Sequence, residues 1–299
     1  MALTMPERTP SGSEILAQGV LLERLALYDR ALERYRLAAA SPDPAVRAEA
    51  LRRESDVFRA RCQWQDALDR ARESVYIAES AGLTHHFTEA LTAQGMVLLI
   101  LGELEPAGEL FARIIALTRA DSIRGLALLN LGVVRATEGR VSEADAFFED
   151  SHEYFQRARH SRGIAATSTN RGRVALDLGD LDRARTHFES ALESAQRAED
   201  LELIAMAKLN LAECYALSDD YRRAEDLASN ALGCFTVAGN HWRRVECLRL
   251  FGDMRLRQRD ARTAERAYRL GLDLARRIGA RVEERVLAGR LESLVGTAH

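Results

Sequence analysis

The stretch NRGRVALDLGDLDRARTHFESAL, residues 170–192, decides the fold because it places a glycine, Gly172, inside an amphipathic helical pattern. A glycine in a helix interior costs about 1 kcal/mol relative to alanine, so a compensating contact is expected. The pattern is interrupted by LGD at residues 178–180 and then starts again. The stretch therefore predicts two helices joined by a tight turn.

The same pattern recurs along the chain, with an alanine as its marker. The seven markers are Ala31, Ala67, Ala107, Ala144, Ala184, Ala224 and Ala264, at spacings of 36, 40, 37, 40, 40 and 40 residues. Twelve residues before the markers stand Gly19, Ser55, Gly95, Gly132, Gly172, Ala212 and Gly252, which we call the small column. Four residues after them stand Tyr35, Ala71, Phe111, Phe148, Phe188, Ala228 and Tyr268, the second column. The small column predicts that each first helix approaches its partner closely.

These columns resemble the tetratricopeptide repeat, a helix–turn–helix unit, and the 40-residue period resembles the longer variant of bacterial maltose-activator-type regulators. The resemblance extends from Glu14 to Gly279 and implies an all-α, right-handed α-solenoid of about seven repeats. A C-terminal capping helix, RVEERVLAGRLESLVG, would make fifteen helices. We expect a flexible tail at residues 1–12, repeats at 13–280, and the capping helix with a short tail at 281–299.

Local signals place several turns and two departures from the pattern. Gly102, Gly139 and Gly179 predict left-handed helix ends. Ser11 with Glu14 predicts a capping box, and Asp43-Pro44 predicts the start of a helix. The second unit has Ser55, Cys62 and Ala71 where the repeat prefers glycine, a turn residue and an aromatic, and the seventh has Ala261. These departures predict less regular packing in those two units.

Composition restricts the class of protein. The 299 residues are 47% hydrophobic and 29% charged, with no apolar run near the ~20 residues of a membrane span. The N-terminus lacks the pattern of a secretion signal, so we expect a cytoplasmic protein. Four cysteines without C-x-x-C spacing predict reduced, apolar side chains.

Motifs for catalysis are missing from the sequence. It contains no G-x-S-x-G, H-E-x-x-H, Walker A or G-x-G-x-x-G pattern. His85, His86 and Glu89 are the nearest approach to a metal site, and no further ligand stands at suitable spacing. We therefore predict a protein that is not an enzyme and has no cofactor or metal.

What remains is a binding surface. The resemblance implies that the first helices line a concave face that binds extended or helical peptides. Two residues before the small column stand Asn130, Asn170 and Asn210, whose amides would clamp a peptide backbone or else only hydrogen-bond neighbouring helices. The other candidate residues on this face are Arg173, Asp177, Glu213, Arg249, Asp253, Arg52, Arg53 and Met96.

The C-terminal region is basic. From Arg243 to Arg290 there are 14 arginines against 7 acidic residues, a net charge of +7. The sequence distributes these arginines around two helices with few aromatic residues, which disfavours nucleic acid and favours an acidic partner or self-association. We predict a non-catalytic protein- or peptide-binding scaffold with no membrane partner. The alternative is a ligand- or signal-peptide-sensing module of a bacterial regulator.

Overall fold

The computed structural model describes residues 10–25 and 27–296. Residues 1–9 of the predicted tail and residues 297–299 lie outside this range. The described residues form fifteen α-helices and no strand. The helices are α1 Gly12–Arg24, α2 Tyr28–Ala39, α3 Pro44–Ala60, α4 Trp64–Ser80, α5 Thr84–Leu101, α6 Leu104–Leu117, α7 Asp121–Thr137, α8 Val141–Arg157, α9 Ser161–Asp177, α10 Leu181–Arg197, α11 Leu201–Leu217, α12 Tyr221–Val237, α13 His241–Arg257, α14 Ala261–Ile278 and α15 Arg281–Gly296.

The chain divides into two compact units, residues 1–151 and 152–299, and the division falls within α8. In each unit consecutive helices pack against one another, which is the packing of an α-solenoid. The predicted all-α fold of helical pairs with a final single helix is confirmed.

The small column does what its spacing predicts, with one refinement. At Gly95 and Gly172 an added Cβ would lie less than 3.0 Å from a ring of the second column, Phe111 and Phe188 respectively. The group that lies over each glycine is thus an aromatic ring of the partner helix rather than its backbone. At position 172 only glycine leaves room for the ring of Phe188. Burial of this ring offsets the cost of a glycine inside the helix.

Where the second column is alanine, the small column is larger. Ala228 belongs to the repeat whose small-column residue is Ala212, and Ala71 to the repeat whose small-column residue is Ser55. The Ser55 hydroxyl donates to the carbonyl of Ala67 at 2.7 Å, which satisfies it in the core. The two columns therefore compensate in volume, so the lost ring is matched by a gained side chain.

The turns are more uniform than the sequence suggests. Gly102, Gly139 and Gly179 adopt the predicted left-handed conformation, with φ of 82°, 78° and 78°. Cys62 and Arg259 adopt the same conformation at the equivalent positions, with φ of 59° and 61°. The expectation of irregular packing in the second and seventh repeats is wrong, because their turns have the same conformation and their helices pack as extensively as those of other repeats.

Both predicted helix starts are present. Ser11 and Glu14 form the capping box, and Asp43 accepts a hydrogen bond from Ala45 with Pro44 in the first turn of α3. Departures in repeat length lie instead between Ala31 and Ala67, which are 36 residues apart, and after α6, where Thr118 is extended and the spacing is 37 residues.

In each unit the first helices of successive pairs contact one another. In the second unit α9 contacts α11, and α11 contacts α13, whereas α10, α12 and α14 show no such contact over the described residues. Because the first helices are closer together, they form the inner face of the unit. The last helix, α15, packs against α14 through the buried Leu287, while Val282 and Val286 remain exposed.

Candidate functional site

The inner face of the second unit contains a hollow of about 290 Å³ formed by α9, α11 and α13. Its walls come from the first helices of three successive pairs, so the repeat period brings together residues 40 apart in sequence. The residues that line it are Thr169, Asn170, Arg173, Met206, Leu209, Asn210, Glu213, Arg243, Glu246, Arg249 and Leu250. Most of these side chains are polar, and Met206, Leu209 and Leu250 supply an apolar part.

Ion pairs organise the wall of this hollow. Arg173 on α9 donates to Glu213 on α11 at 2.5 Å, which links two successive repeats. Arg243 donates to Glu246 at 2.7 Å within α13. Asn170 and Asn210 are half-buried and lie in the same hollow. The arrangement offers amide donors and acceptors beside charges of both signs, which suits a polar backbone with charged side chains.

A second hollow of about 410 Å³ continues the first toward α15. Glu213, Arg249 and Leu250 line both hollows, and Asp253 and Arg290 line the second. Asp253 accepts from the Tyr268 hydroxyl at 2.7 Å and pairs with Arg290 at 3.4 Å. The α13 carboxylate therefore ties both α14 and α15 to the wall of the hollow.

The carboxylate of Glu283 on α15 is the least satisfied group here. Its Oε2 atom is buried and has no hydrogen-bond partner among the described residues, and Arg249 Nε lies 4.0 Å away. Burial raises the pKa of Glu283, and the charge of Glu246 adds to this, while Arg249 opposes it.

Five of the predicted residues meet in the first hollow. These are Asn170, Arg173, Asn210, Glu213 and Arg249. Asp253 lies in the adjoining hollow, and the exposed Asp177 lines neither of them. Arg243, a further turn toward the start of α13, was missed, although extending the same helical periodicity by one turn finds it. Arg290 was missed because it belongs to α15, outside the repeat columns.

The predicted residues of the first unit have different surroundings. Arg52 makes a two-pronged contact with Glu49, at 2.6 and 2.8 Å, and a third hydrogen bond to Asp56 at 2.9 Å. Arg53 also donates to Glu49, at 2.8 Å. Both arginines are thus engaged by internal carboxylates. Met96 is half-buried on α5.

Asn130 differs from the other two asparagines. Its side chain lies in the core of the first unit with 5% of the residue exposed. Its Nδ2 atom has no hydrogen-bond partner among the described residues. Asn130 is therefore less accessible than the half-buried Asn170 and Asn210.

Other chemistry has little support among the described residues. No group of three or more histidine, cysteine or acidic side chains is placed to hold a metal ion within that range. Burial raises the pKa of Cys214 and Cys247 to about 12, which keeps both as thiols rather than nucleophilic thiolates. In the described part of the chain, every helix is too short or too polar to cross a membrane.

A wider hollow of about 710 Å³ lies elsewhere in the second unit, against the start of α11 and the end of α12. Leu201, Cys234, Phe235 and Val237 make it largely apolar. It offers few groups that would orient a ligand, so the smaller polar hollow is the better candidate for specific recognition.

Comparison with known proteins identifies repeats in part of the chain and similar folds over most of it. Residues 124–197 match the tetratricopeptide repeat family. No curated protein sequence matches the chain significantly. The apo form of RapI superposes with a TM-score of 0.69 at 17% identity, over 90% of this chain and 99% of RapI.

Two further structures align. BtubC (BKLC) from P. vanneervenii has a TM-score of 0.56 at 21% identity, over 73% of this chain and 92% of that one. A Rap protein complexed with Competence and Sporulation Factor has a TM-score of 0.63 at 16% identity, over 90% and 76%. At these identities the likeness concerns the fold alone. The repeat columns, the helical pairs built on them and the family match over residues 124–197 agree, and this part of the chain consists of tetratricopeptide repeats.

Proposed function

We propose that the chain is a non-catalytic scaffold that binds a peptide or an extended protein segment on the inner face of its second unit. The observation that carries the proposal is the meeting of Asn170, Asn210, Arg173 and Glu213 in one hollow. Two amides one repeat apart can each pair with a peptide group, and the adjacent charges select side chains. The Rap protein complexed with Competence and Sporulation Factor supports this choice, since a protein of similar fold forms a complex with that factor.

The same proposal places the protein in the cytoplasm. All four cysteines are free, and two of them are buried, which accords with a reducing compartment.

A displayed library of random peptides, selected against the immobilised full chain, tests the proposal. We expect enriched peptides whose affinity falls about tenfold or more in the variant Asn170→Ala/Asn210→Ala, because each lost amide contact contributes about 1 kcal/mol. Asn230→Ala is the control, because Asn230 is an exposed asparagine on α12 that lies outside this hollow and lines the larger apolar one, so a peptide bound there would respond to it instead. The proposal is wrong if the selection enriches no peptide, or if the double variant binds as tightly as the control.

A sensing module is the second candidate function. Arg249 lines the hollow and also lies beside Glu283 of α15. A bound peptide that contacts Arg249 would therefore change the packing of α15. Hydrogen exchange of α15 with and without a selected peptide distinguishes the two functions. A change in α15 protection favours the sensor, and unchanged protection favours a passive scaffold.

A further inference from the structure

The outer face of α14 has a stripe of arginines. Arg266, Arg269, Asp273 and Arg276 follow one another at helical spacings of three, four and three residues, and all four are exposed. Arg262 and Arg277 flank the stripe, so all five arginines of α14 lie on its exposed side. The sequence suggested that the arginines were spread around both C-terminal helices. This expectation is wrong for α14, because the opposite face of the helix is filled by buried residues of the core.

The outer face of α4 has an acidic stripe at the equivalent repeat positions. Asp69, Arg72, Tyr76 and Glu79 follow the same spacings of three, four and three residues, and all are exposed. Asp66 and Glu73 flank this stripe. Tyr76 is 71% exposed, and packing within the fold gives no reason for an aromatic residue at this position.

The two stripes are complementary when the helices are antiparallel. Arg266 then faces Glu79, and Arg276 faces Asp69. At the centre Arg269 faces the ring of Tyr76, which is a cation–π pairing. Arg72 and Asp273, the one residue of opposite sign in each stripe, face each other. A parallel alignment would instead place Arg269 against Arg72, so charge selects the antiparallel one.

We propose that α14 of one copy docks antiparallel on α4 of a second copy. A nucleic acid is a poorer occupant, because the carboxylate of Asp273 would repel phosphates and the exposed Leu270 would gain nothing from them. The acidic stripe of a second copy suits both of these side chains. Its Arg72 can pair with Asp273, and its exposed Tyr76 ring offers an apolar surface to Leu270. Every copy has both stripes, so the contact is heterologous.

The existing partners of these side chains do not block the contact. Arg269 pairs with Glu265 and Arg276 with Glu284, in ion pairs whose side chains are largely exposed. Glu79 pairs with Arg113 in the same exposed way. Exposed pairs contribute little and exchange readily, so they yield to intermolecular pairs of the same kind. The association is weak for the same reason, and salt weakens it further.

Sedimentation velocity of the full chain at several concentrations, at about 50 mM and about 500 mM salt, tests the proposal. We expect the mean mass to rise with concentration at the lower salt and to fall toward the monomer at the higher salt. The variants Arg266→Glu/Arg276→Glu and Asp69→Arg/Glu79→Arg should each weaken self-association at least about tenfold, because they place like charges opposite each other. Circular dichroism checks that each variant is folded.

Mixing the two variants provides the decisive measurement. In the mixture the reversed α14 of the first variant is complementary to the reversed α4 of the second, and the unmodified α4 of the first is complementary to the unmodified α14 of the second. The mixture should therefore associate more strongly than either variant alone. Arg222→Glu/Arg285→Glu, which lowers the net charge by as much as the first variant but at exposed sites outside the stripes, should behave as the unmodified chain.

Three results would overturn the proposal. They are a monomer at all concentrations in low salt, undiminished association of either variant, and failure of the mixture to associate. Binding of a duplex DNA probe that depends on Arg266 and Arg276, in a chain that stays monomeric, would assign the arginine stripe to a nucleic acid instead.

Discussion

The helices α3 and α13 carry the same three charged residues at the same repeat positions, yet the two inner faces differ. Glu49, Arg52 and Asp56 in α3 correspond to Glu246, Arg249 and Asp253 in α13 by their distance from the small column. In α3 both carboxylates hold the arginine, whose side chain is 14% exposed. In α13 Arg249 reaches Asp253 at 3.3 Å, is 28% exposed and lines a hollow.

The neighbour one turn earlier explains this difference. Arg243 in α13 takes Glu246 as its partner, whereas the equivalent residue of α3 is the buried Val46. Glu246 is thereby drawn away from Arg249, and Leu250 stands where α3 has the second arginine, Arg53. The gain of an arginine at position 243 and the loss of one at position 250 thus turn the closed network of α3 into the more open face of α13.

Beneath both faces the small column and the second column compensate in volume, and the largest expected effect tests this compensation in the second unit. Phe188→Ala should lower the free energy of unfolding by about 3–5 kcal/mol, since it leaves a cavity over Gly172. Gly172→Ala alone should cost about 1–3 kcal/mol through overpacking against the ring. The double variant imitates the natural pair Ala212 and Ala228, so Gly172→Ala should cost nothing in the Phe188→Ala background. Urea unfolding of the four proteins measures this cycle.

Gly233→Ala is the control for this cycle. Gly233 is an exposed glycine in α12 with nothing within 4 Å of an added Cβ. The substitution should raise stability by up to about 1 kcal/mol from helix propensity alone. A loss at Gly233 as large as that at Gly172 would show that the cost at Gly172 does not come from the ring.

The second effect distinguishes the two arginines. Arg52→Ala leaves Glu49 and Asp56 in a partly buried site without their main partner and should cost about 2–3 kcal/mol. Arg249→Ala should cost less than about 1 kcal/mol, because its pairs are longer and more exposed. Thermal unfolding measures both variants. Equal losses would mean that the two faces do not differ in the way proposed.

Low pH should affect the stability of the two units in opposite directions, because each contains a carboxylate whose pKa is shifted in the opposite sense. Burial alone would raise the pKa of Glu49, but hydrogen bonds and charge from Arg52 and Arg53 outweigh it and hold this pKa below its ordinary value of 4.5. The stability from Glu49 is therefore full above the unfolded pKa and is lost as pH falls through the lower folded pKa. Glu283 has a raised pKa, so the folded state binds its proton more tightly and gains stability as pH falls toward the unfolded value.

Hydrogen exchange of α3 and α15 at about pH 7 and about pH 4 measures these contributions. Glu49→Gln should cost about 1–2 kcal/mol at neutral pH and reduce the acid sensitivity of α3. Glu283→Gln should stabilise α15 slightly at neutral pH, because it removes a buried charge. A loss of α15 protection in Glu283→Gln would contradict the assigned sign.

The sequence could predict whatever depends on spacing within one repeat. Gly172 with Phe188 followed from two columns 16 residues apart, and Gly139 followed from its place in the turn. The pairing of Glu246 could not be predicted, because Arg243 and Arg249 lie three residues before and after it and either could be its partner. The burial of Asn130 could not be predicted either, since its repeat position equals that of Asn170 and only the packing of α7 separates them.

The smallest effect on stability is expected for a substitution that makes the inner face of α13 resemble that of α3. Arg243→Val gives α13 the residue that α3 has at this position, and it frees Glu246 to pair with Arg249. Because a partly exposed ion pair between Arg249 and Glu246 replaces the one between Arg243 and Glu246, the free energy of unfolding should change by less than about 0.5 kcal/mol. Affinity for a selected peptide should nevertheless fall, since Arg249 is then held as Arg52 is held. A crystal structure of the variant shows whether Glu246 lies within hydrogen-bond distance of Arg249; if Glu246 stays apart from it, something other than Arg243 keeps this face open.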